Sequence, residues 1–442
     1  MSPSLSWLIP AWSHPCDWSR GTRASHDVGV THARIAIATA GVFFLTAVGV
    51  AALAVPWDAN VAPWAPLDLA TISVFSAEQI ATIDAYVAAV WLPNLLAWLA
   101  GPALAVGVLL IPRLRERLAA LGPDRLPFLA GLIAGAVLLL GVRLASVPFA
   151  AWAAQVRRDN GLLIEPWSDW WARWAMESAI YVALGALALA VGLAVLRRWP
   201  RWGWISIVAA ALIVTGVASA LIPLLQRAEG TVADPQLTAR VLDLAQRLDV
   251  DVAQVTVLEV SDRSPSINAH VSGWGPTRTV TLYDTLSTSA TPAEIDALIA
   301  HELVHVRDRD VALGTVLAIL AAGGTAALAT GLALSSRVRR RVSAASPGDP
   351  RVTPVIVATV LVMTVIATVA GSTISRPLES RADREAVEVT GDPDAYARLI
   401  YRLAITNKST LVPAQWRYAM LFTHPTPLQR LAAVDAGSGS RP

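Results

Sequence analysis

The chain has a single cysteine, Cys16, so neither an internal disulfide nor a cysteine-built metal site can form. Charge is scarce too. Only 15% of the 442 residues are charged, and the net charge is +2. No lysine/arginine cluster alternates with aromatics, which removes nucleic acid from the candidate partners. What fills the chain is apolar: hydrophobic residues make up 55%, mean hydropathy is +0.52, and there are 17 tryptophans. Charge this sparse, with long apolar runs, indicates a multi-pass membrane protein.

Seven runs approach or exceed the ~20 residues needed to cross a bilayer: 33–55, 86–111, 127–150, 178–196, 204–225, 311–334 and 352–374. A polar tail, 1–32, precedes the first. That tail is too long for a typical signal peptide, so the run reads as a retained span although Ala52-Leu53-Ala54 resembles a cleavage site. His14, His26 and His32 share no helix face and read as exposed tail residues. Pro93, Asn94 and Pro102 predict a kinked second span packed against its neighbours. Arg143, inside the third run, either snorkels to the interface or faces a wet interior. Between the third and fourth runs, 151–177 carries Trp167, Trp170, Trp171 and Trp174 at helical spacing, as in an interfacial helix at headgroup level.

From 226 to 310 the composition becomes that of a soluble protein. Pro235 to Leu248 carries an apolar helical stripe, while 255–260 and 279–286 are rich in β-branched residues and read as strands. NAHVSG, between them, fits a short edge strand. Thr291-Pro292-Ala293-Glu294 then announces a helix start, with Thr291 as N-cap, Pro292 at the first turn and Glu294 closing a capping box. After the last two spans, 375–434 reads as a charged helix, SRPLESRADREAVEV, followed by two or three short helices, and 435–442 as a flexible tail.

The helix announced at Thr291 carries His301-Glu302-Leu303-Val304-His305. Histidines four apart lie on one helical face and can bind one zinc ion together, with Glu302 beside them to take a proton from water. A catalytic zinc site takes a third protein ligand. No further histidine follows in 306–311, and the sixth run has no acidic residue, so the ligand lies beyond the seventh span. Two spans return the chain to the same face of the membrane. There Glu379 and Asp383 stand four apart: Glu379 fits a third ligand, and Asp383 an acceptor from a ligand histidine. By spacing alone Glu385 and Glu388 compete for the ligand's place.

The series VPFAAWAAQVRRDNGL, INAHVSG, TVTLYDTL, AHELVHVRDRD, SRPLESRAD and HPTPLQRL, in this order around seven spans, resembles the CAAX prenyl protease 1 family of integral-membrane zinc metallopeptidases. The resemblance covers most of the chain. It implies a mainly α, multi-pass membrane fold of about seven transmembrane helices with a gluzincin-like metallopeptidase domain containing a small β-sheet. In sequence order this gives a tail (1–32), five spans (33–225), a first metallopeptidase part (226–310), a two-span hairpin (311–374), a second part (375–434) and a tail (435–442). It implies one Zn2+ bound by His301, His305 and Glu379, with Glu302 as general base and then acid. Asp383 would orient a histidine and Arg430 support the acidic residues. His424 would steady the oxyanion. Asn268, with His270 where the family often has tyrosine, would hold the substrate. The family's water-containing chamber favours the inward reading of Arg143.

The activity implied is hydrolysis of peptide bonds in a peptide or protein substrate that is lipidated or membrane-bound. The alternatives are a general membrane-protein quality-control protease without prenyl specificity, and a non-catalytic zinc-domain sensor. Loops 112–126, 197–203 and 335–351 carry 4, 3 and 5 arginines, whereas 56–85 has none and 151–177 has 3 against 4 acids. The positive-inside rule puts the first three in the cytoplasm of a cell-membrane protein, and the zinc site on the extracytoplasmic side.

Overall fold

A computed structural model describes residues 18–59, 73–123, 125–227 and 230–438, with the side chains of all these except 18–30, 223–227 and 434–438. Among the described residues seven helices are long and apolar enough to cross a membrane. They are α1 (Trp18–Ala54), α2 (Ala77–Leu110), α4 (Pro127–Asp159), α5 (Trp167–Arg198), α6 (Gly203–Arg227), α10 (Asp310–Leu334) and α12 (Thr353–Thr390). α3 (Pro112–Ala119) and α11 (Ser336–Arg341) are short helices at the arginine-rich turns. Large apolar side chains on the spans face outward, such as Leu45, Leu184 and Val214, which is how a lipid-facing surface differs from a soluble one.

The bundle is held by close pairings of α1 with α10, α2 with α4, α4 with α5, and α6 with α10. α2 opens on a reciprocal capping box between Ser76 and Gln79 and runs through Pro93 and Pro102 without ending. Inside a bundle the amide bonds that proline removes are tolerated when neighbouring helices cover the site.

Three expectations about the bundle are corrected. α1 begins at Trp18, so the stretch expected as a loose tail is helical from there; 1–17, with His14, and the His26 side chain lie outside the described residues. His32 is not an exposed tail residue: it is half-buried on α1, its ring edge-on to Trp202 at 5.0 Å. Nor do the tryptophans of 167–174 form a separate interfacial helix. They stand on the first turns of α5, because Trp167 to Leu184 contains no proline or glycine to break a helix once Pro166 has started it. Their rings pack on one another, Trp170 and Trp171 at 4.8 Å.

The part outside the bundle holds a four-stranded mixed sheet in the order β1-β2-β4-β3. Its strands are β1 (Thr231–Val232), β2 (Gln254–Leu258), β3 (Ala269–Ser272) and β4 (Thr279–Tyr283). β2 and β4 run parallel, with Thr256 opposite Thr281 and their hydroxyls 2.9 Å apart; β3 lies antiparallel at the edge, as NAHVSG suggested. The second strand was expected to reach 286 but ends at Tyr283. The Asp284 carboxylate accepts from the amides of Val260, Ser261 and Thr285, which turns the chain out of the sheet into the short helix α8 (Asp284–Ser289).

Against β3 packs α9 (Pro292–Arg307); α7 (Pro235–Arg247) and α13 (Pro393–Thr406) pack on α9, and α14 (Gln415–Leu421) and α15 (Pro427–Ser438), from the far end of the chain, pack on α12. α15 covers the start of the expected 435–442 tail; 439–442 lie outside the described residues. One core joins these elements: Val241, Val280, Leu282, Ile299, Leu303, Tyr396 and Leu399 are buried in it together with Phe75, Ile83 and Val87 at the start of α2. Gln79 Nε2 also donates to the Tyr401 hydroxyl at 2.6 Å. The sheet-bearing part is thus seated directly on the bundle.

Candidate metal centre

α9 starts where its sequence says it should. Thr291 Oγ1 accepts from the Glu294 amide and the Glu294 carboxylate accepts from the Thr291 amide, the two halves of a capping box. Glu294 is fully buried, and Arg402 of α13 neutralises it at 3.1 Å. Ile295, Leu298, Ile299 and Leu303 bury one face of α9 in the core. His301 and His305 meet edge-to-face on another, their ring centroids 4.8 Å apart.

α12 crosses the membrane and continues past Pro377 without a break, so the span and the charged helix expected after it are one element. Its last turns pack against α9 and bring Glu379 to the histidines. His301 Nε2 lies 3.2 Å from Glu379 Oε2, His305 Nε2 3.6 Å from Glu379 Oε1, and the two Nε2 atoms 3.3 Å apart. These three residues offer ligand atoms all within 4.8 Å of one another, a cluster able to hold a metal ion. The spacing fits zinc: donors at roughly 2.0–2.2 Å around a tetrahedral ion stand about 3.3–3.6 Å apart.

Each imidazole is backed by a carboxylate. His301 Nδ1 lies 2.9 Å from Asp383 Oδ1, and Arg430 grips Asp383 with two nitrogens, Nε at 2.9 Å and Nη2 at 2.6 Å, while donating to the Tyr396 hydroxyl at 3.0 Å. His305 Nδ1 lies 2.8 Å from Asp310 Oδ2. A proton held on Nδ1 by a carboxylate leaves the Nε2 lone pair for a metal. Burial by itself pulls both imidazoles toward the neutral form. The facing carboxylates outweigh it, raising His301 and taking His305 to about 10. Glu302 differs: burial pushes its carboxyl above the usual range, against the opposing pull of His301 and His305. That is the direction a proton acceptor working near neutrality requires.

The structure therefore brings together His301, Glu302, His305, Glu379, Asp383 and Arg430, with His424 Nε2 3.2 Å from Glu379 Oε2. The competing acids stand elsewhere: Glu385 pairs with Arg307, and Glu388 is exposed. Asn268 and His270 belong to the edge strand β3 and its approach, which pack against α9; no hydrogen bond joins either to the cluster. Sequence reasoning missed Asp310, Arg381 and Tyr396. The charged run VRDRD after His305 was the only trace of the first.

Arg143 faces inward. Its Nε donates to Ser178 Oγ at 2.9 Å, and it lines a cavity of about 430 Å³ between α2, α4 and α5 with Asn94, Trp98, Arg173, Trp174 and Glu177.

Residues 231–437 match Peptidase family M48. This part of the chain is thus similar to that peptidase family. The matched stretch takes in both segments that flank the α10/α12 hairpin, and the hairpin itself. The fold is similar to that of the crystal structure of S. mikatae Ste24p, with a TM-score of 0.71 at 18% identity, covering 91% of this chain and 99% of that one. Among curated relatives, an uncharacterized metalloprotease of Bacillus subtilis, YhfN, is 21% identical over 54% of this chain and 57% of its own length. A Protease HtpX homolog of Campylobacter concisus is 32% identical over 31% of this chain and 46% of its own. The chain spans about half the length of these relatives.

Proposed function

We propose that the protein is a membrane-embedded zinc metalloendopeptidase in which His301, His305 and Glu379 hold one zinc ion. What carries the reading is the convergence of those three donors, two from α9 and one from the returning arm of the membrane hairpin, at spacings that suit one tetrahedral ion. When bound, zinc supplies a Lewis acid that lowers the pKa of water toward about 7 and polarises a carbonyl.

The chain's own residues do the rest. Glu302, its carboxyl raised by burial, takes the proton of the attacking water and later delivers it to the leaving amine. Asp383, held by Arg430, keeps the His301 ring turned toward the site. His424, at the open side of Glu379, donates to the oxygen on which charge develops. The free edge of β3 takes the substrate backbone as an added strand beside α9, with Asn268 holding it and His270 lining its path.

Glu302→Gln should keep zinc and lose at least ~10²-fold in cleavage rate, the lower end of what general-base removal costs. A metal-replete mutant that turns over at the wild-type rate overturns the assignment.

The substrate is a peptide or protein, lipidated or membrane-bound. Similarity to HtpX homologs supports the broader reading, a quality-control protease without prenyl specificity. Purified protein given matched prenylated and unprenylated peptides separates the two. Cleavage of the prenylated peptide alone supports the narrow specificity; equal cleavage supports the broad one. A non-catalytic zinc sensor predicts zinc binding with no cleavage of either.

A further inference from the structure

We infer that Asp310, the first residue of the membrane-spanning helix α10, is a positioning residue for the metal centre. With Arg381 holding it, Asp310 fixes the ring of His305 and so sets how tightly the site binds zinc. The inference rests on His305 being a ligand, as proposed above.

The geometry depends on a single turn. On an uninterrupted helix a residue five positions after His305 would sit about 140° around the axis and could not reach its ring. Arg309 instead adopts the left-handed conformation, φ 62° and ψ 30°, between the end of α9 and the start of α10. That one residue folds the chain back, and the Asp310 carboxylate comes to 2.8 Å from His305 Nδ1.

Two further contacts keep it there. Arg381 donates through Nη2 to both Asp310 oxygens, at 2.7 Å each, and its Nε lies 2.7 Å from Asp308 Oδ2. Asp308 in turn takes the Arg307 guanidinium at 2.8 Å, and Arg307 reaches across to Glu385. Both Arg381 and Glu385 belong to α12, the helix that supplies Glu379 two residues before Arg381. The corner between α9 and α10 is therefore stapled to the third-ligand helix by alternating charges, and the Asp310 side chain is only 9% exposed. Asp310 does for the second histidine what Asp383 does for the first: it holds the Nδ1 proton so that Nε2 presents its lone pair. A carboxylate at the root of a membrane span thereby ties the metal centre to the hairpin.

The test is a zinc titration of the full-length protein in detergent against a competing chelator, read as a dissociation constant rather than as activity. Asp310→Ala should weaken zinc binding 10- to 100-fold, the usual effect of losing a carboxylate behind a ligand histidine. Asp310→Glu should recover part of that loss. Arg381→Met should weaken binding less, and the double variant no more than Asp310→Ala alone, because Arg381 acts through Asp310. If Asp310→Ala does not fold, Asp310→Asn takes its place, with an expected loss between those of Glu and Ala. Binding within twofold of wild type in whichever of these folds overturns the inference, as do independent, additive effects of the two residues. A wild-type protein that takes up no zinc would instead fail the ligand reading, so the two failures are distinct.

Discussion

Arg430 shows how much of the site's order lies in single side chains behind it. Asp383 is nearly sealed from solvent, and its charge is tolerable only because Arg430 meets it with two nitrogens and also donates to the buried Tyr396 hydroxyl. Arg430→Met would leave the buried Asp383 charge with only the His301 ring facing it; losing one partner of a buried pair costs up to about 3–5 kcal/mol. A large fall in the thermal midpoint is expected, together with weaker zinc binding; Arg430→Lys should recover charge but not the two-pronged grip, and fall between. A midpoint unchanged in Arg430→Met would show that the pair carries no such weight. At this scale the sequence was legible where chemistry and spacing coincide. His301 and His305 share a face by periodicity alone, and Glu379 followed from the lack of a histidine in 306–311, the lack of an acid in 311–334 and an even number of crossings. Asp310 was not legible, because its approach to His305 depends on the left-handed conformation of Arg309, and nothing in the residue type of an arginine announces one.

The elements that deliver these residues differ in how openly the sequence declares them. α9 was readable from Thr291 and Glu294 onward, since the capping box that starts it is local chemistry. The unbroken passage of α12 through Pro377 was not readable, because whether a proline ends a helix is decided by what packs around it. The two-residue strand β1 leaves no periodicity to read. Helix–helix contact in the bundle is similarly a matter of neighbours: α10 approaches α1 through small residues, and a Cβ at Gly331 would stand 2.8 Å from Ile37 Cγ1 and 3.1 Å from the Ile37 backbone nitrogen. Gly331→Val should therefore force the two helices apart and cost about 1–3 kcal/mol. On the same helix a Cβ at Gly314 meets nothing within 4 Å, so Gly314→Val should lie within about 0.5 kcal/mol of wild type. Comparing thermal midpoints of the two variants in one detergent separates steric crowding from the general effect of valine in a helix; equal losses would sink the close-packing argument.

For the molecule as a whole, the question raised by its arginines is which side of the membrane the metal centre occupies. The structure gathers the arginine-rich turns at one end of the bundle. Arg115 of α3 donates to the Arg341 carbonyl at 3.1 Å, and Gly348 packs so tightly on Leu193 and Arg197 at the end of α5 that a Cβ there would overlap them. The 4, 3 and 5 arginines of 112–126, 197–203 and 335–351 thus make one end of the bundle basic, while the metal cluster sits at the opposite ends of α10 and α12. Short connecting loops of this kind are where the positive-inside rule has its force, and by that rule we propose that the arginine-rich end is cytoplasmic. With Cys16→Ser as background, Ser287→Cys, exposed on α8 beside the four-stranded sheet, should react with an impermeant thiol reagent in intact cells. Ala345→Cys, exposed in the basic turn, should react only after lysis. The reverse pattern would put the metal centre in the cytoplasm, and the basic end would then need another explanation, since twelve arginines would have crossed the membrane.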